Sequence, residues 1–219
     1  MTDTAAYKAD RDELVNCYHE LLAAGLGTGT SGNVSGRTTE GMLITPTGVA
    51  PDQMQAEQLV SMSLTGAVAT NQLLPSSEWH MHAAIYQARP DVGAVVHCHS
   101  RFATTLACTG RTIPAIHYMI AVSEGLEIPL APYATFGTEA LAHSAVQALT
   151  QGRACLLANH GQIAVGADPV AALRVAIEVE ELAAIYWHAL AVGGERILSE
   201  QQMVEVKAAF VDYGQQRDG

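Results

Sequence analysis

The segment Val92-Gly93-Ala94-Val95-Val96-His97-Cys98-His99 constrains this chain more than any other stretch of it. An apolar run rich in valine reads as a strand, and it ends in two histidines separated by one residue. On a strand, residues i and i+2 point to the same face. His97 and His99 can therefore converge on one cation without distorting the backbone, while Cys98 between them faces the other way. A third histidine follows a second strand-like run, in Leu156-Leu157-Ala158-Asn159-His160-Gly161. Three histidines around an open coordination position is the plan of a catalytic zinc site, which points to an enzyme before a binding module.

The bulk properties narrow the partners. At 219 residues the chain reads as one domain, residues 1–219, large enough to bury its own core. Eleven basic against twenty-two acidic residues give a net charge of −11, with only two lysines. That balance argues against nucleic acid and against an anionic membrane as partners. The N-terminus lacks the basic and apolar regions of a signal peptide, and no apolar run is long enough to span a bilayer. Cys17, Cys98, Cys108 and Cys155 form no CxxC pair and read as reduced, buried thiols. A cytoplasmic protein is expected.

Periodicity gives an α/β reading. An amphipathic helix is expected over 5–25, then a loop rich in glycine, threonine and serine, then a hairpin of strands over 33–37 and 42–45. Another strand is expected over 59–64, and a helix from the Pro75-Ser76-Ser77 cap to about residue 89. The histidine strand comes next. A strand pair over 153–158 and 162–165 brackets His160. Asp168-Pro169 opens a long alanine-rich helix that Gly193-Gly194 ends, and a last helix covers 199–213.

Two features imitate sites. Gly27-Thr28-Gly29-Thr30-Ser31-Gly32 matches GxGxxG in letters, but it follows a helix and leads into a strand, the reverse of a dinucleotide site. Its use is better read as presenting amides and hydroxyls to an anion. His80-Met81-His82 falls in a helix, where i and i+2 diverge; His82 reads as a helix-face histidine, although Glu78 and His82 stand four apart and could share a metal.

Seven segments then occur in order: Gly32-Asn33-Val34-Ser35, Leu43-Ile44-Thr45-Pro46-Thr47-Gly48, Leu74-Pro75-Ser76-Ser77-Glu78, Val96-His97-Cys98-His99, Ile113-Pro114-Ala115-Ile116-His117-Tyr118-Met119, Ala131-Pro132-Tyr133-Ala134-Thr135-Phe136-Gly137-Thr138 and Asn159-His160-Gly161. Together they resemble the class II aldolase/adducin family, and within it most the fuculose-phosphate aldolase branch, over nearly the whole chain. The resemblance implies a three-layer α/β/α fold, a homotetramer with sites at subunit interfaces, and one zinc ion per subunit held by His97, His99 and His160. Glu78 matches the acid that fills the fourth position at rest and then serves as catalytic base. Gly32, Asn33, Thr47, Gly48, Ser76 and Ser77 match the positions that bind the phosphate of a small phosphorylated sugar. Tyr118 matches a tyrosine that reaches across from a neighbouring subunit to protonate an aldehyde oxygen. Phe136 and Tyr213 are implied to shape the aldehyde pocket.

The implied activity is reversible cleavage of L-fuculose 1-phosphate, or a similar ketose 1-phosphate, to dihydroxyacetone phosphate and a short aldehyde such as L-lactaldehyde. A methylthioribulose-1-phosphate dehydratase or a decarboxylase would share the zinc and the phosphate grip. A pentulose-phosphate 4-epimerase tends to carry aspartate where this chain has Glu78. An adducin-like interaction domain, the non-enzymatic reading, predicts a damaged metal triad or a missing acid.

Overall fold

The structure is a computed structural model and describes residues 10–150 and 152–210. Strands β1 (Asn33–Arg37), β2 (Met42–Ile44), β3 (Val60–Met62), β4 (Ala94–Cys98), β5 (Leu130–Ala131), β6 (Ala154–Leu157) and β7 (Gly161–Gly166) form one seven-stranded sheet in the order β3-β2-β1-β4-β7-β6-β5. Every neighbouring pair is antiparallel except β5 and β6, which run parallel. The helices are α1 (Arg11–Ala23), α2 (Trp79–Ala88), α3 (Arg101–Cys108), α4 (Glu139–Ala148), α5 (Pro169–Val192) and α6 (Glu200–Phe210).

Strand alternation divides the apolar residues between two faces. Val34, Ala94, Val96, Leu156 and Ala164 join a buried cluster with residues of α1, α3 and α5. Ile44, Val95, Cys155, Leu157 and Ile163 join another with residues of α2 and α4. Both faces of the sheet are thus covered, which yields the three layers that the resemblance implies. No helix among the described residues is long and apolar enough to cross a membrane.

Helix ends follow local chemistry. The Asp10 carboxylate accepts the Asp12 and Glu13 amides at 2.8 and 3.4 Å to open α1. Asp168 accepts the Ala171 amide at 2.7 Å with Pro169 at the first helical position of α5; free amides at that end need an acceptor, and proline adds no N–H to be satisfied. Gly193, at φ 81°, ends the same helix.

Three expectations are corrected. The helix expected from Pro75-Ser76-Ser77 begins at Trp79, with Glu78 at its N-cap; Ser76 instead accepts the Glu78 amide through its hydroxyl at 3.3 Å. Helices α3 and α4 and the short strand β5 were not expected. Cys17, Cys98 and Cys155 are buried free thiols, but Cys108 is exposed at the end of α3. The beginning of the first expected helix and the end of the last, with Tyr213, lie outside the described residues.

Candidate active site

Antiparallel pairing decides which residues meet at one edge of the sheet. Asn33, the first residue of β1, pairs with His97 near the end of β4. On the other side of β4, Cys98 pairs with Gln162, the second residue of β7. The β6–β7 hairpin tip carrying His160 therefore stands beside His97 and His99, although some sixty residues separate them in the chain. Asn159 in that tip is left-handed at φ 56°, a conformation asparagine tolerates. Gly161 follows because nothing larger fits: a Cβ there would lie 2.4 Å from the Cys98 carbonyl oxygen and 2.9 Å from the His99 ring.

The three imidazoles form a near-threefold propeller. Their centroids are 4.8–4.9 Å apart and their planes cross at 64–73°. His97 Nε2 is 3.0 Å from His99 Nε2 and 3.1 Å from Glu78 Oε2. His160 Nε2 is 3.3 Å from Glu78 Oε1. All four ligand-type atoms lie within 4.8 Å of one another. Donors bound tetrahedrally at about 2.0–2.1 Å stand roughly 3.3–3.4 Å apart, so these spacings suit a small divalent cation. The donor set of three nitrogens and one carboxylate suits zinc as well. His97 turns its Nδ1 to the Gln162 carbonyl oxygen at 2.9 Å, which fixes the proton on Nδ1 and leaves Nε2 bare for a metal.

Electrostatics distinguish the three imidazoles: burial opposes charge on His97, but the Glu78 carboxylate and the Gln162 carbonyl outweigh it and raise that imidazole above its ordinary value. Burial, with His97 alongside, lowers the His99 and His160 imidazoles to about 4, so both are neutral near pH 7. Burial opposes ionisation of Glu78, but His97, His160 and the Asn33 amide outweigh it and hold the carboxyl well below the usual range. The group is a carboxylate at rest, able to ligate or to accept a proton.

The loops around this cluster are stitched together. The Thr45 amide donates to the Val34 carbonyl at 3.1 Å, Ser76 N–H to Thr45 O at 3.0 Å, and Thr47 N–H to Leu74 O at 3.0 Å. These bonds bring Gly32, Thr47, Gly48, Ser76 and Ser77 to the rim of one cleft of about 430 Å³, with Asn33, Glu78, His99, His160 and Phe136 also lining it. Gly137 sits against the Ser77 carbonyl, where a Cβ would come within 2.9 Å. This close backbone approach lies next to the Tyr133–Phe136 stretch at the rim.

The placement of the remaining expected residues differs among them. His97 is fully buried behind the cleft. Phe136 is 65% exposed at its mouth. Tyr118 does not line the cleft of its own chain; it opens a 3-10 turn, Tyr118–Ser123, is 42% exposed and packs against His117 and Phe210. Asn33 spends its carboxamide inward, donating to Glu78 at 3.1 Å and pairing with His82 at 2.5 Å. His82, read as a helix-face histidine, lies on the inner face of α2 and is fully buried. Tyr133, exposed at the cleft mouth, received no role from the sequence; its position three residues before Phe136 in the same motif was the available signal.

Comparison with known proteins places the whole chain in one family. The model of the class II aldolase and adducin N-terminal domain matches residues 12–187. The 5-methylthioribulose-1-phosphate/5-deoxyribulose-1-phosphate aldolase of Rhodospirillum rubrum is 44% identical over 204 residues, 93% of this chain and 92% of its own. The L-fuculose phosphate aldolase of Escherichia coli K12 is 43% identical over 203 residues, 92% of this chain and 94% of its own. A solved L-fuculose 1-phosphate aldolase superposes with a TM-score of 0.89 at 37% identity, covering 95% of this chain and 99% of its own. On both sequence and fold, the chain belongs to the class II aldolase and adducin family, and it is an enzyme of the family's metal-dependent lyase kind.

Proposed function

We propose that the protein is a zinc-dependent aldolase that reversibly cleaves a ketose 1-phosphate, L-fuculose 1-phosphate or one similar to it, into dihydroxyacetone phosphate and a short aldehyde. The observation that carries this reading is the meeting of Glu78 with His97 and His160 at 3.1 and 3.3 Å inside a cleft rimmed by Gly32, Thr47, Gly48 and Ser77. Amides and hydroxyls on that rim offer an anion its ligands without a lysine.

A zinc ion held by His97, His99 and His160 would supply Lewis-acid stabilisation of the negative charge that develops on the ketose oxygens. In cleavage, a base takes the proton of the C4 hydroxyl, the C3–C4 bond pair stays on C3, and Glu78, which takes up a proton from solvent as the base returns one to it, delivers that proton to C3 and is a carboxylate again. In synthesis the Glu78 carboxylate removes the same proton from C3 of dihydroxyacetone phosphate, and an acid protonates the aldehyde oxygen. Tyr118 is that acid in this reading, contributed by the neighbouring subunit of a homotetramer, which accounts for a tyrosine that is exposed and does not line the cleft of its own chain. Phe136 and Tyr213 would contact the aldehyde.

A second substrate reading rests on the relative at 44% identity, named for 5-methylthioribulose and 5-deoxyribulose 1-phosphates. Release of dihydroxyacetone phosphate from L-fuculose 1-phosphate, 5-deoxyribulose 1-phosphate and 5-methylthioribulose 1-phosphate, with and without a chelator, separates the two. Chelator-sensitive release is expected, fastest from the fuculose ester. Faster release from either ribulose ester moves the assignment to that substrate, and release from none sinks the aldolase reading.

The phosphate grip has its own test. Ser77→Ala is expected to raise KM about tenfold for the phosphorylated ketose, the loss of one charge-assisted hydrogen bond, and to leave KM for the free ketose unchanged. Ser77 is the better probe, since the Ser76 hydroxyl is tied to the Glu78 backbone. Equal effects on both substrates would leave Ser77 without a phosphate.

A further inference from the structure

Below Glu78, α2 lays one stripe of polar side chains on β1. Glu78, His82 and Tyr86 recur every four residues on the helix, and Asn33 and Ser35 recur every two on the strand. The two periods mesh into a single hydrogen-bonded row. Asn33 Nδ2 donates to Glu78 Oε2 at 3.1 Å, Asn33 Oδ1 meets His82 Nε2 at 2.5 Å, His82 Nδ1 meets Ser35 Oγ at 2.6 Å, and Ser35 Oγ meets Tyr86 OH at 2.8 Å. Asn33, Ser35, His82 and Tyr86 are all buried, so no water competes for these bonds.

The carboxylate at the end of the row decides the direction of every bond in it. An ionised carboxylate only accepts. The nitrogen of the Asn33 amide must therefore face Glu78, and its oxygen must face His82. His82 Nε2 must then carry a hydrogen, which leaves Nδ1 bare to accept the Ser35 hydroxyl. Ser35, its one hydrogen spent, accepts from Tyr86. All the donors point toward Glu78, an order in which successive bonds strengthen one another.

We infer that His82 is a positioning residue for Glu78: its Nε2–H locks the Asn33 amide so that one carboxylate oxygen is pinned and the other stays free. The free oxygen, Oε1, accepts no hydrogen bond and faces His160, so it is the atom that carries the C3 proton. The helix itself cannot slide away from this arrangement. Arg37 grips its far end, donating to the Tyr86 and Arg89 carbonyls at 2.8 Å each and lying 4.7 Å over the Tyr86 ring. A merely space-filling residue at position 82 would pack between α2 and β1 equally well, but it would leave the Asn33 amide free to turn.

The inference rests on the aldolase reading for its consequence, and on the hydrogen-bond row for its existence, so the test has two arms. In protein labelled with 15N at histidine, the His82 signals, identified by their loss in His82→Gln, are expected to show one protonated nitrogen, Nε2, and one bare nitrogen, Nδ1. A proton on Nδ1, or on both, overturns the relay whatever reaction the protein catalyses. In the second arm, exchange of the C3 proton of dihydroxyacetone phosphate is measured in zinc-loaded protein. His82→Leu should lower kcat about a hundredfold, the effect of a misplacement near 1 Å, with KM and bound zinc unchanged. His82→Gln, which keeps a donor and an acceptor, should recover about tenfold of that loss. Should His82→Leu fail to fold, Ser35→Ala takes its place: it removes the donor to Nδ1, and its kcat should fall with KM unchanged. Unchanged exchange in His82→Leu or in its substitute, or equal activity of the Leu and Gln variants, overturns the positioning role. No exchange in the wild-type protein overturns the aldolase reading instead, and the nitrogen spectrum still decides the relay.

Discussion

Replacing His99 by alanine will remove the metal and the activity together. His99 supplies one of three imidazole nitrogens around the site, 3.0 Å from that of His97, and burial keeps it neutral and ready to bind at neutral pH. Losing a supporting residue behind a ligand costs roughly 10–100-fold in metal affinity, and losing the ligand itself will cost more. Lewis-acid stabilisation is worth several kcal/mol and each 1.36 kcal/mol is tenfold in rate, so kcat should fall by at least about a thousandfold. The fold should persist, because His99 lies beyond the end of β4 and carries none of its ladder bonds. Metal content and cleavage rate measured on the same preparation check this. A variant that keeps full activity without stoichiometric metal would remove the central claim.

The metal cluster was legible because strand geometry is rigid. Two histidines at i and i+2 on an apolar strand share a face whatever the rest of the chain does, and a third histidine just after another strand-like run completed the set. Membership in the cleft was legible only through the family motifs. Nothing in the local sequence of Gly32, Thr47 and Ser77 says that they meet; that depends on backbone bonds between loops far apart in the chain. The partners of His82 were hidden for a related reason. Helical periodicity places it four residues from Glu78, but only the register of β1 beneath α2 shows that Asn33 and Ser35 wait on both sides of its ring.

Helix α3 shows where local reasoning fails outright. Its first turn carries no capping side chain of its own. Glu180, from the middle of α5, supplies the acceptor, taking the Phe102 and Ala103 amides at 2.8 and 2.9 Å. A carboxylate at a helix N-terminus satisfies free amides and favours the dipole, yet this one comes from 77 or more residues away. Helix α4 is different, since its Thr138 cap, bonded to the Leu141 amide at 3.3 Å, is local and was open to reading. The long helix α5 was read to its ends because both of its signals, Asp168-Pro169 and Gly193, are adjacent to it in the chain.

Glu78→Gln separates the two halves of the site that His99→Ala destroys at once. Glutamine keeps the shape of the side chain, and its carbonyl can still accept the Asn33 amide that now lies 3.1 Å from Oε2. Three imidazoles remain to hold the metal, so bound zinc should stay near one per chain. What is lost is a group that can take a proton from carbon and return it. General acid–base catalysis contributes about 10²–10⁴ in rate, and deuterium incorporation at C3 of dihydroxyacetone phosphate should fall within that range. The same loss should appear in both directions of the reaction, since the proton removed in synthesis is the one delivered in cleavage. Unchanged incorporation in a zinc-loaded Glu78→Gln protein would place the base elsewhere and reduce Glu78 to a ligand. Lost incorporation with lost zinc would make the carboxylate indispensable to the metal, and the three histidines would then be an incomplete site without it.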